Sequence, residues 1–145
     1  MREHSCTGAG LSPNRSLRQR WFRIPGDSLH ELDFRLGGRE ISRGTFAPSG
    51  VPELVEYRSQ FLDIVADERI VYVYELLLDG RRRSISLVTV DLSPQDAGTR
   101  LKYTEQFAFV AYTGDGRDDR GEREGGTRLR LNALASVVEE THRRY

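Results

Sequence analysis

The stretch EYRSQFLDIVADE (56–68), RIVYVYELLLDG (69–80), RRRSISLVTVDLSPQ (81–95) and GTRLKYTEQFAF (98–109) decides the fold. It reads as four successive β-strands joined by tight turns, and one helical pattern follows it to the C-terminus. In the second strand Ile70, Tyr72, Tyr74, Leu76 and Leu78 share a face. Val71 and Val73 occupy its other face, which predicts a strand that is central or covered on both sides. In the third strand Ser84, Ser86, Val88, Val90 and Leu92 point one way, with Ile85, Leu87, Thr89 and Asp91 opposite. In the fourth, Leu101, Tyr103, Glu105 and Phe107 share a face opposite Lys102, Thr104 and Gln106. Asp67-Glu68, Asp79-Gly80 and the segment SPQDAG (93–98) supply the turns.

Upstream, Leu32, Phe34 and Leu36 fall on one face of a strand over 29–36, with Asp33 and Arg35 on the other. Gly37-Gly38 signals a hairpin, Arg39 to Phe46 is the returning strand, and PSGVP (48–52) is a loop. SLRQRWFR (16–23) suits a short helix capped by Ser16 and stopped by Pro25-Gly26. Residues 1–16 lack periodicity and read as an irregular tail, with one domain over 17–145. Downstream, Tyr112 to Gly126 is a polar connection whose latter part is compatible with helix. From about Thr127, Leu131, Leu134, Ala135 and Val138 follow a helical period, and Arg143 and Arg144 suit the C-terminal end of the dipole. The expected class is α+β: a curved antiparallel sheet of about six strands around a long C-terminal helix.

Composition narrows the function. Lys plus Arg and Asp plus Glu number 22 each in 145 residues, so no basic excess favours nucleic acid. A lone cysteine, Cys6, allows no internal disulfide. No apolar run approaches the roughly 18 residues of a membrane span, and MREHSCTGAGLSPNRS (1–16) has no apolar signal core. A cytoplasmic chain without membrane, metal or cofactor is the expectation.

The blocks ELDFRLGGRE (31–40), LDIVADERIVYVYE (62–75), LDGRR (78–82), GTRLKYTEQFAF (98–109) and EREGGTRLRLNALA (122–135) resemble the bacterial START/SRPBCC proteins. Within these, they are similar to the branch like the C-terminal domain of the heat-shock-protein-90 ATPase activator. The resemblance spans roughly residues 18–138 and rests on ordered blocks, since no single block is diagnostic. It implies a helix-grip fold with an apolar cavity between sheet and helix. The lining it implies is Tyr72, Tyr74, Leu76, Val88, Val90, Leu101, Tyr103, Glu105 and Phe107, with Leu131 and Leu134 from the helix. RQRWF (18–22) resembles the end of the family's second helix, and nothing in residues 1–16 resembles the strand and helix that precede it. The expectation is an open sheet edge and uncovered apolar surface, in a weakened chain or one that covers the gap as a homodimer.

Each candidate group carries two readings. Glu105, among apolar neighbours, is a ligand anchor or general base, or else a strand-end carboxylate that reaches water or pairs with an arginine. Tyr72, Tyr74 and Tyr103 are a polar-tipped lining or plain core. Asp33 and Arg35 suggest a cross-strand ion pair with Glu40 or its neighbours ahead of a binding role. Trp21 and Phe22 shield the cavity mouth or form the buried side of an amphipathic helix. GDGRDDRGERE (114–124) lacks the acidic spacing of a calcium loop and reads as a solvated connection. His4, His30 and His142 are scattered beside acids and read as exposed, too few to hold a metal. Cys6 has no evident activating base. GAG (8–10) opens no dinucleotide fingerprint.

Three functions follow. The first is a module binding a small apolar or aromatic ligand between sheet and helix. The second is a co-chaperone-like domain that contacts a heat-shock ATPase. An enzyme of the cyclase or hydrolase type, with Glu105 as base, ranks last because no nucleophile–base pair is visible.

Overall fold

The computed structural model describes residues 15–22, 24, 27–47 and 50–144. Helix α1 (Arg15–Trp21) is followed by strands β1 (Asp27–Leu32), β2 (Arg39–Phe46), β3 (Glu53–Val65), β4 (Arg69–Leu78), β5 (Arg81–Gln95) and β6 (Gly98–Phe109). Helix α2 (Asp119–Arg143) closes the chain. The six strands form one antiparallel sheet in sequence order, so β4 is interior, as its two apolar faces require.

The turns follow local chemistry. Asp79 (φ 49°) and Gly80 (φ 77°) both take left-handed conformations, the pair a two-residue hairpin of right-handed twist demands. Asp79 also clips β3, accepting a hydrogen bond from the Leu54 N–H at 2.8 Å. The expected turn over 93–98 is shorter: β5 runs on to Gln95, which pairs with Gly98, and Asp96 (φ 48°) begins the reversal.

At β1–β2 the expected strand over 29–36 ends instead at Leu32. Residues 33–38 form a wider turn that docks on β3 through Gly37 N–H to Phe61 O (2.8 Å) and Phe61 N–H to Gly38 O (3.0 Å). A side chain at Gly38 would meet the Asp33 carbonyl oxygen at 2.1 Å, so glycine is required there. Leu36 is exposed at the tip, whereas Phe34 folds back onto Phe61 at 5.1 Å between ring centroids. Two-residue alternation had placed both on one strand face; the backbone's turn onto β3 separates them.

The inner face of the sheet carries Tyr57 and Phe61 of β3, Ile70, Tyr72 and Tyr74 of β4, and Val88 and Val90 of β5, joined by Phe22 and Ile24. Rings run continuously through this layer, Phe22 to Tyr57 at 4.7 Å, Tyr57 to Tyr74 at 4.8 Å and Phe61 to Tyr72 at 6.0 Å. Helix α1 begins at Arg15, so Ser16 lies inside it rather than capping it, and the last residues of the expected tail are helical. Residues 1–14, with Cys6, His4 and the GAG segment, and Pro25-Gly26 lie outside the described residues.

Helix α2 starts at Asp119, so the latter part of the 112–126 connection is helical ahead of the apolar period from Thr127. Its first half holds Gly121, Gly125 and Gly126, each costing about 1 kcal/mol in helix relative to alanine. Side-chain pairing to the sheet holds it nevertheless. Asp119 is buried, paired with Arg83 at 2.5 Å and accepting the Thr113 N–H at 3.0 Å. That backbone hydrogen bond, with the Arg83 charge, holds the Asp119 carboxyl below its ordinary range. The segment 114–124 is therefore an anchor and not merely a solvated connection. Among the described residues no helix is long and apolar enough to cross a membrane.

Candidate functional site

Helices α1 and α2 meet across the inner face of the sheet, with Arg20 of α1 paired to Glu140 of α2 at 2.5 Å. Beneath them lies a cavity of about 30 Å³. The sheet contributes Tyr57, Tyr72, Tyr74, Val90, Leu101 and Tyr103; α2 contributes Thr127, Arg130, Leu131 and Leu134; Arg18, Trp21 and Phe22 close it from the α1 side. That volume suits roughly two waters, not a drug-sized molecule. A second, more open groove of about 380 Å³ runs between α2 and the far end of β5–β6. It is lined by Leu92, Thr99, Leu101, Leu131, Leu134, Ala135, Val138 and Glu139. Leu101, Leu131 and Leu134 border both spaces, so three leucines form a common apolar wall.

Of the positions picked from sequence, Tyr72, Tyr74, Val90, Leu101, Tyr103, Leu131 and Leu134 face this cavity. Val88 is fully buried in the sheet core behind it. Phe107 packs on Phe109 at 5.4 Å, toward the start of α2. Leu76 keeps the inward register, opposite Tyr57 and Ser84, but lies toward the end of β4 and does not line the cavity.

Glu105 is the centre of a hydrogen-bonded network at one end. Tyr74 donates its hydroxyl to Glu105 Oε1 at 2.5 Å, and Tyr103 donates to Oε2 at 3.3 Å. Arg123 of α2 donates to Glu105 Oε1 at 3.2 Å, Tyr74 Oη at 2.9 Å and Ser86 Oγ at 3.1 Å, and also to Ser84 Oγ. The carboxylate is thus occupied by an arginine, one of the readings open from sequence. Burial pushes the Tyr74 phenol up to about 12, the Arg123 charge opposing and Glu105 reinforcing that rise. Burial likewise raises Tyr57, Tyr72 and Tyr103, so the tyrosine wall is neutral at physiological pH.

The opposite end holds a cluster that sequence reasoning missed. Arg18 of α1 grips Glu40 of β2 through both carboxylate oxygens, each at 2.8 Å. His30 Nε2 of β1 lies 2.8 Å from the same Oε1. The Arg18 guanidinium stacks over Phe22 (3.8 Å) and Trp21 (4.2 Å). Burial alone would raise the Glu40 carboxyl, but the Arg18 charge and the hydrogen bonds from His30 and Arg18 overcome it and hold it at about 2. Two sequence expectations are corrected here. Glu40 does not pair with Arg35, which binds Asp33 at 2.7 Å on the exposed turn, and His30 is buried. The partner of Glu40 lies 22 residues away in sequence, beyond the reach of strand pairing by local pattern.

A family profile described as Activator of Hsp90 ATPase homolog 1-like protein matches residues 11–139. The Mll3558 protein from Rhizobium loti is 41% identical, with a TM-score of 0.72, over 90% of this chain and 84% of its own. An uncharacterized protein from Rhizobium leguminosarum is 32% identical, with a TM-score of 0.76, over 92% of this chain and 84% of its own. CV1439 from Chromobacterium violaceum, 22% identical with a TM-score of 0.67 over 93% and 88%, shares the fold. No curated protein matches the chain.

Proposed function

This chain belongs to the Activator of Hsp90 ATPase homolog 1-like family of helix-grip domains, and on that footing we propose that it binds a small apolar molecule between the sheet and helix α2. The observation that carries this reading is the leucine wall. Leu101, Leu131 and Leu134 stand between a solvent-open apolar groove and an aromatic-lined cavity. A ligand entering from the groove has only side chains to displace, with no backbone hydrogen bonds to break. The groove, at about 380 Å³, falls within the range of small-molecule sites, whereas the cavity alone does not.

The test is a thermal-melt screen against aliphatic and aromatic molecules. A true ligand at a hundredfold excess over its Kd stabilises the fold by about 2.7 kcal/mol. Leu101→Asp, which puts a charge in the common wall, and Tyr74→Ala should each abolish the shift. A panel without any shift, beside a measurable complex with a heat-shock ATPase, would transfer the function to the protein contact that the family's description suggests. Turnover of a bound molecule that Glu105→Gln leaves unchanged would remove any role for that carboxylate as a base.

A further inference from the structure

Helix α2 presents Arg123, Thr127, Arg130, Leu131 and Leu134 toward the sheet, a stripe at helical spacing. The two arginines are treated differently. Arg123 is met by Glu105, two serines and a tyrosine. Arg130 is half-buried, lines the cavity, and among the described residues has no carboxylate at ion-pair distance. What faces it is the ring of Phe22, 4.8 Å from its guanidinium carbon. Its helical neighbours three and four positions away are Gly126, Thr127, Ala133 and Leu134, none acidic. Arg18, also over the Phe22 ring, already has Glu40 as its counter-ion.

Resting on the apolar-ligand reading above, we propose that the ligand is an amphiphile with an anionic head, a carboxylate or a group of like charge and size, held by Arg130. A half-buried guanidinium beside apolar walls lacks the counter-charge that every other buried arginine of the site has, and a bidentate oxyanion supplies it. The tail lies along Leu101, Leu131 and Leu134 into the groove. Glu139 borders the groove beyond Val138, so its charge disfavours the reverse orientation.

Calorimetric titration with decanoate, decanol and decyltrimethylammonium tests this, at a pH where decanoate is ionised. Decanoate should bind at least tenfold tighter than decanol, and the ammonium most weakly. Arg130→Gln should erase the preference for decanoate over decanol, while Arg130→Lys should keep most of it. Equal affinity of the native chain for decanoate and decanol overturns the anionic head and leaves the apolar-ligand reading standing, and so does a preference that survives in Arg130→Gln. If neither binds, both readings fall. Should Arg130→Gln not fold, equal binding of decanoate and decanol by the native chain still overturns the anionic head, and loss of the preference in Arg130→Lys overturns the part of Arg130's charge.

Discussion

Two buried arginine–glutamate pairs pin the two helices to the sheet, and they are built differently. Arg18–Glu40 ties the short α1 to β2; Arg123–Glu105 ties the N-terminal half of α2 to β6. Glu40 is enclosed almost completely, gripped by both arms of one guanidinium and by a histidine, with aromatic rings around the cation. Glu105 sits among hydroxyls of Tyr74, Tyr103 and Thr127, its arginine is farther off at 3.2 Å, and that arginine has alternative partners in Ser84 and Ser86. The first pair is all charge in an apolar shell, where losing one member strands the other. The second is a charge diluted in neutral donors and acceptors, which can rearrange. That contrast assigns α1 the part of a fixed clamp and leaves the α2 side as the adaptable wall of the cavity.

The contrast is broken most severely at Glu40. Glu40→Gln strands the buried Arg18 charge and should cost about 3–5 kcal/mol, read as a lower urea midpoint. Replacing the pair together, Arg18→Met with Glu40→Leu, should recover much of the loss; no recovery would show that packing, not charge, holds α1.

Acid attacks the same pair. The Glu40 carboxyl lies at about 2 in the folded chain against an ordinary 4.5, so the unfolded chain binds the extra proton between these values. Stability from this group is fully present above pH 4.5 and is lost as pH falls toward 2. It amounts to something on the order of 3 kcal/mol. Urea titrations across that window should show the loss in the native chain and its absence, for this group, in Glu40→Gln.

Glu105→Gln should cost less, about 1–3 kcal/mol, because glutamine still accepts from Tyr74 and Arg123 keeps its serines. A loss equal to that at Glu40 would erase the distinction between the pairs. The smallest effect should come from Gly125→Ala. The added methyl meets nothing within 4 Å, so alanine should stabilise α2 by about 0.5–1 kcal/mol. A destabilised melt would mean that this part of α2 needs glycine for some contact other than its ion pairs.

The strand faces of the meander were legible because alternation is a local property. Tyr72, Tyr74, Val88 and Val90 are buried together as their spacing indicates, and Asp79-Gly80 turns where its backbone freedom predicts. Legibility failed at the wide turn that exposes Leu36, where the backbone leaves the strand after Leu32. At the start of α2 the sequence was compatible with helix, and pairing to Arg83 and Glu105 holds the glycine-rich turns there.

The sequence by itself determined the order of strands, their inward side chains, the terminal helix and the family, since each follows from neighbours a few positions apart or from ordered blocks along the chain. Only the tertiary structure decided the electrostatics of the site: which arginine is neutralised, that His30 and Glu40 are buried, and how little space the aromatic layer leaves. The reason is that a charged side chain defaults to the surface unless a counter-charge is delivered to it. Delivery from 18 or 22 residues away depends on how sheet and helices close over one another.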